Sequence, residues 1–258
     1  MLTYATTRIL MLVCLVISIV LFYFLSISFF WLALIVLPFF GIFAWGSANI
    51  RSNFYLPVYS QNKGFGNTLA LTFDDGPHPD VTPALLDVLK KHNVKATFFC
   101  IGKHIKDHES ILKRIDQEGH ILGNHTFAHH AFLPFYSAPN LGSDIEYVSN
   151  QIEQIIGKRP VFFRPPFGVT SPPYNKVVKK QQLKMIGWSI RSLDTVNVDS
   201  DVLLRRVLKK QYCGDVVLFH DTQKEIVPFI DNLLTLLAAN GTKIVNIDQL
   251  FNIEAYEI

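Results

Sequence analysis

The sequence has 258 residues, 49% of them hydrophobic, three cysteines and a formal net charge of +3. That charge is too small to mark a nucleic-acid binder, and no stretch interleaves basic residues with stacking aromatics. Cys14, Cys100 and Cys213 lie far apart without CxxC spacing, which argues for structural thiols rather than a disulfide framework or a cysteine zinc site.

The first element is apolar. Between Arg8 and Arg51 there is no charged residue and no histidine, and Ile9 to Trp45 is almost wholly hydrophobic. A membrane pass takes about 20 apolar residues. The run therefore suffices for one pass, or for two over residues 9–27 and 29–45 with a tight turn near Ser26-Ile27-Ser28. A cleaved secretory signal, with an apolar region of about 7–15 residues, is too short to account for it. Residues 1–50 are thus expected to anchor the chain in a lipid bilayer. Arg8 on one flank and Arg51 with Lys63 on the other nearly balance, so charge does not choose the side. Residues 51–67 turn polar and glycine-containing, as a linker does, and residues 68–258 form the domain.

Within the domain, short runs rich in β-formers occur at Thr68–Phe73, Ala96–Ile101, His120–Asn124, Val161–Arg164, Met185–Ile190, Asp215–Phe219 and Lys243–Ile247. Helical patterns alternate with them. One starts at Ser143 with Glu146 as a capping box, carries Ile145, Val148, Ile152 and Ile155, and stops at Gly157. Another opens near Ser200 and ends before Gly214, and a third runs from about Glu225 to Asn240. Seven strands alternating with helices predict a parallel α/β fold, either a barrel or an open doubly wound sheet.

Unusual polar residues stand at the C-terminal ends of these strands, where such folds build their sites. LALTF ends in Asp74-Asp75-Gly76-Pro77, and HILGN in His125-Thr126-Phe127-Ala128-His129. VFF ends in Arg164-Pro165-Pro166-Phe167-Gly168, MIGWSI leads to Ser192-Leu193-Asp194, and DVVLF ends in His220-Asp221. His125 and His129 are four apart, so a helical turn would face both imidazoles one way. Two histidines and a carboxylate suit zinc or another first-row divalent ion with positions left open. Of the adjacent aspartates, one would bind the metal and the other remain free as a base. Arg164, held by two prolines that argue against a helix, could pair with a carboxylate. His220 is placed for acid–base work.

TFDDGP, HTFAH, RPPFG and LFH, in this order over roughly Thr68 to Leu250, resemble the polysaccharide deacetylase family, whose shared region is the NodB homology domain of carbohydrate esterase family 4. The resemblance implies a distorted parallel (β/α) barrel of about seven strands, preceded here by one or two transmembrane helices. It also implies roles. Asp74 would be the general base, and Asp75, His125 and His129 would hold a divalent ion, zinc first, with cobalt, nickel or manganese as alternatives. Arg164 would support Asp74, with Asp194 helping to position it, and His220 would be the general acid. Leu218 would line the acetyl pocket, and the Phe167 N–H would help to bind the oxyanion. One departure is Thr195, which follows Asp194 where the family often carries an aromatic residue.

The expected reaction is hydrolysis of the N-acetyl amide of an amino sugar in a cell-envelope glycan such as peptidoglycan or a chitin-like polymer, releasing acetate. The enzyme would sit in a bacterial inner or plasma membrane with its domain on the envelope side. The alternatives are a deacylase or deformylase of a lipid-linked amino sugar, and a catalytically silent glycan-binding protein.

Overall fold

The structure is a computed structural model and describes residues 2–25, 30–197 and 199–257. Two apolar helices, Tyr4–Leu25 and Phe30–Ala48, come first. The turn expected near Ser26-Ile27-Ser28 lies outside the described residues. Among the described residues, only the first helix has a membrane-span length and hydropathy, over Tyr4–Phe24. The second holds a shorter apolar stretch, Leu34–Ala48, with Pro38 inside it.

Among the described residues eight parallel strands follow: β1 Thr68–Asp74, β2 Thr97–Cys100, β3 Ile121–Asn124, β4 Phe162–Phe163, β5 Lys184–Met185, β6 Ile190–Arg191, β7 Asp215–His220 and β8 Lys243–Ile244. Seven run in the order β5-β4-β3-β2-β1-β7-β6, while β8 pairs with the start of β1. The sheet curls into a distorted, open barrel with helices outside it.

Alternation along β1 separates two cores. Leu69, Leu71 and Phe73 pack outward under the helices with Leu85, Phe98 and Phe219. Ala70 instead joins Phe99, Phe162, Trp188 and Leu218 inside the barrel. Because side chains alternate faces along a strand, Thr72 and Asp74 follow Ala70 inward. His220 likewise follows Val216 and Leu218 from β7. The register Thr72↔Leu218 and Asp74↔His220 then sets the first aspartate and the last histidine side by side.

The run Met185–Ile190, expected as one strand, is two. β5 pairs with β4 at one end of the sheet and β6 with β7 at the other. The residues between them cross the open seam: Ile186 N–H donates to Phe163 O at 2.9 Å and Ser189 N–H to Val216 O at 3.0 Å. Residues 51–67, read as a linker, fill the rest of that seam. Tyr59 pairs with Ile186 and Gln61 with Asp215, and Phe54, Tyr55 and Leu56 are buried.

Among the helices, the one expected from Ser143 begins earlier and spans Ala138–Ile156. Ser137 caps it by accepting from Asn140 N–H, and Gly157 ends it at φ 72°. The helices Ser200–Val207 and Ile226–Ala239 lie close to their expected positions, and Asp199 caps the former through Asp201 and Val202 N–H.

Candidate active site

Asp74 ends β1 and is almost wholly buried. Its Oδ1 accepts from Arg164 Nη1 at 2.6 Å. Arg164 continues the inward row of β4 and is completely buried, so every donor it carries needs a partner. Nη1 also donates to Thr72 Oγ1 at 2.8 Å, Nε to Ile186 O at 3.2 Å and Nη2 to Gly187 O at 2.9 Å. Its guanidinium lies 4.1 Å from the centre of the Phe99 ring. A Cβ at Gly123 would stand 2.5 Å from that ring, so the glycine makes room for the aromatic floor under the arginine.

Asp75 turns away from the strand with φ 75°, and its backbone carbonyl accepts from the His104 Nδ1–H at 2.8 Å. The second carboxylate thereby leaves the strand direction of the first. Its Oδ1 is buried without a hydrogen-bond partner and lies 3.5 Å from both His125 Nε2 and His129 Nε2. The ligand atoms of these three residues all lie within 4.8 Å of one another. Metal–ligand bonds of about 2.1 Å at tetrahedral angles separate ligand atoms by about 3.4 Å, so the set fits a small divalent ion.

The ligand chemistry fits as well. A carbonyl only accepts, so the 2.8 Å contact between His125 Nδ1 and Arg164 O puts the proton on Nδ1 and leaves the Nε2 lone pair toward Asp75. Burial and the neighbouring His125 push the His129 imidazole down to about 4, which keeps it neutral at pH 7, the form that binds metals. Burial pushes the Asp75 carboxyl up, but His125, His129 and His220 outweigh it and hold it below the usual carboxylate range.

The histidine pair does not sit on a helical turn. Residues 125–130 form an irregular loop, and positive φ at Thr126 (67°) and His129 (51°) brings the imidazoles together, with ring centroids 5.0 Å apart. Phe167 (58°) and Leu193 (60°) share this left-handed geometry. Such backbone is unfavourable for non-glycine residues and gathers at functional sites. The Phe167 ring packs edge-on against His129 at 4.5 Å.

Asp194 has a different partner from the one expected. It contacts neither Asp74 nor Arg164. Its Oδ1 accepts from His220 Nδ1–H at 2.8 Å and from the Ser192 hydroxyl at 2.8 Å, and its Oδ2 from His220 N–H at 2.7 Å. Burial lowers the His220 pKa, but Asp194 more than compensates, so the imidazole titrates above its ordinary value. The bond on Nδ1 leaves Nε2 for the cavity.

That cavity, about 210 Å³, is lined by Asp74, Asp75, His125, His129, Phe167, Trp188, Arg191, Thr195, Leu218 and His220. Every expected site residue is therefore here, or bonded to one that is. Trp188 and Arg191 were not foreseen, because Trp188 lies inside the run Met185–Ile190, which reads as a continuous strand, and Arg191 directly follows it. Asp221 was also missed: it is buried, its carboxyl accepts from the Thr82 hydroxyl, and a Cβ on Gly76 would collide with it.

Residues 61–186 match the family model described as polysaccharide deacetylase. A peptidoglycan-N-acetylglucosamine deacetylase of Bacillus cereus is 37% identical over 196 residues, covering 71% of this chain and 68% of that protein. A peptidoglycan-N-acetylmuramic acid deacetylase of Bacillus subtilis is 34% identical over 187 residues, 71% of each chain. The crystal structure of a peptidoglycan N-acetylglucosamine deacetylase in complex with 4-naphthalen-1-yl-N-oxidanyl-benzamide superposes with a TM-score of 0.73 at 31% identity. It covers 78% of this chain and 94% of that one.

Proposed function

Because the chain belongs to the polysaccharide deacetylase family of amide-cleaving hydrolases, we propose that it is a membrane-anchored, metal-dependent enzyme that removes N-acetyl groups from amino sugars of a cell-envelope glycan. The observation carrying this reading is the placement of Asp74, the Asp75–His125–His129 set and His220 around one cavity. Its relatives named for peptidoglycan direct the substrate choice. A chitooligosaccharide deacetylase of Azorhizobium caulinodans, 36% identical over 164 residues, keeps chitin-like oligomers beside it.

Asp75, His125 and His129 would hold the divalent ion, zinc being the first choice for this donor set. When bound, the ion supplies Lewis acidity for the amide carbonyl and for a water. Asp74, fixed by Arg164, takes the proton from the attacking water. Its Oδ2 stands 3.7 Å from His125 Nε2, which places the base beside the ligand set. The Phe167 N–H, at the turn after Pro166, is assigned to the developing oxyanion. Leu218 receives the acetyl methyl. His220, with Asp194 on its far nitrogen, delivers a proton from Nε2 to the departing sugar amine. Acetate and a free amino sugar result.

A silent glycan-binding role is not favoured, since every group this chemistry requires is present. The anchor is assigned to helix Tyr4–Leu25, whose 22 residues extend about 33 Å at 1.5 Å each. Tyr4 N–H donates to Phe54 O at 2.9 Å. If that helix crosses a bilayer, the chain must return before residue 54, which favours helix Phe30–Ala48 as a second pass. Two passes would leave both flanks on one side of the bilayer, and the domain is assigned to the envelope side because such glycans lie there.

The test is acetate release by the full chain from peptidoglycan and chitin oligomers, with and without a chelator. Release that a chelator abolishes supports the reading; equal release in both sinks the metal chemistry.

A further inference from the structure

The anchor meets the domain at the rim that carries the site. Ser47, in the last turn of helix Phe30–Ala48, accepts through its carbonyl from Thr170 N–H at 3.0 Å, two residues beyond Gly168 of the RPPFG turn. Tyr4, Ile42 and Phe43 pack on the apolar cluster of Phe54, Tyr55 and Leu56, and that cluster also contains Leu133. Leu133 is buried, yet its neighbours in the same short turn, Phe132 and Phe135, are 69% and 84% exposed. This turn follows His129 by only a few residues, so it belongs to the same rim.

Two phenylalanines standing free on one turn are costly to leave in water. They do not line the catalytic cavity. The turn that carries them is rooted in the cluster that seats the foot of the anchor. We propose that Phe132 and Phe135 bed into the surface of the lipid bilayer, so that the active-site mouth opens at the membrane and works on N-acetylated glycan carried close to it. This rests on the membrane-anchor and deacetylase readings above and adds to them a second lipid contact and a substrate position.

The test uses the full chain in phosphatidylethanolamine–phosphatidylglycerol vesicles with benzoylphenylalanine at single positions. Irradiation should give a lipid adduct at position 135, as at position 16 in the anchor, where Val16 is exposed. Position 91, at the far end of helix Val81–Lys91, should give none. An adduct at 16 without one at 135 overturns the docking surface while leaving the anchor intact. Adducts at neither position remove both.

The second readout is kinetic. Phe132→Ser with Phe135→Ser should leave kcat/KM for a water-soluble N-acetylated oligomer unchanged. It should lower the value about tenfold when the same oligomer is attached to a phospholipid in the vesicle. Equal loss on both substrates would mark a sugar platform and overturn the proposal, as would no loss on either. Failure of the unsubstituted chain to release acetate from either substrate refutes the deacetylase reading, while the adducts alone still decide whether the turn touches lipid.

Discussion

Arg164 Nη1 meets Asp74 Oδ1 at 2.6 Å, and both side chains are almost wholly out of water. Such a pair gains from its mutual attraction, but removing one partner strands a buried charge at a cost of about 3–5 kcal/mol. Asp74→Asn should therefore lose activity and stability together. Combining it with Arg164→Met should recover much of the stability, read from urea unfolding, and none of the acetate release. Recovery of activity in the double variant would remove Asp74 from the role of base.

The two adjacent aspartates should fail differently. Asp75→Asn and His125→Ala each alter a ligand in the set where Asp75 Oδ1 stands 3.5 Å from both histidine nitrogens, so bound metal and activity should vanish together. Asp74→Asn should keep the metal. Elemental analysis of the purified proteins decides this, and stoichiometric metal in Asp75→Asn would refute the ligand assignment.

Gly76 follows the ligand Asp75, and a Cβ there would run into the buried Asp221 carboxyl. Since Asp221 is tied to the Thr82 hydroxyl, it cannot move aside freely. Gly76→Ala should shift the Asp75 backbone and weaken metal affinity by about 10–100-fold, the usual scale for disturbing a ligand's support. Metal titration of the two proteins measures it; unchanged affinity would show that the turn tolerates the side chain.

Much of this site is legible in the sequence because its chemistry sits at strand ends. Asp74, His125, Arg164 and His220 each follow a run that forms a strand, or ends one, and local pattern suffices to place them on one rim. What escaped is nonlocal. That Met185–Ile190 is split depends on pairing with β4 at one side and β7 at the other, and an unbroken apolar run does not show it. The partner of Asp194 depends on a left-handed Leu193, and the spacing of His125 and His129 suggests a helix although positive φ does the work. In each case the missing information is a backbone conformation imposed by tertiary contacts, which residue type alone does not specify.

His220 gives the last prediction. Asp194 holds its pKa above the ordinary value of about 6.5. As the proton donor to the leaving amine it must be charged, so kcat/KM should fall as pH rises through that raised pKa. In Asp194→Asn the carboxylate that favours the imidazolium is gone, and the falling limb should move to lower pH. A purely structural aspartate would reduce the rate without moving the limb, so the pH profile separates the two roles. Stability follows the same proton. The His220–Asp194 contact stabilises the fold fully below the unfolded histidine pKa, and this contribution is lost as pH rises through the folded one. Urea unfolding across that window should show the decline in the unsubstituted chain and a flatter curve in Asp194→Asn. If neither the limb nor the curve moves, Asp194 does not set the protonation of His220.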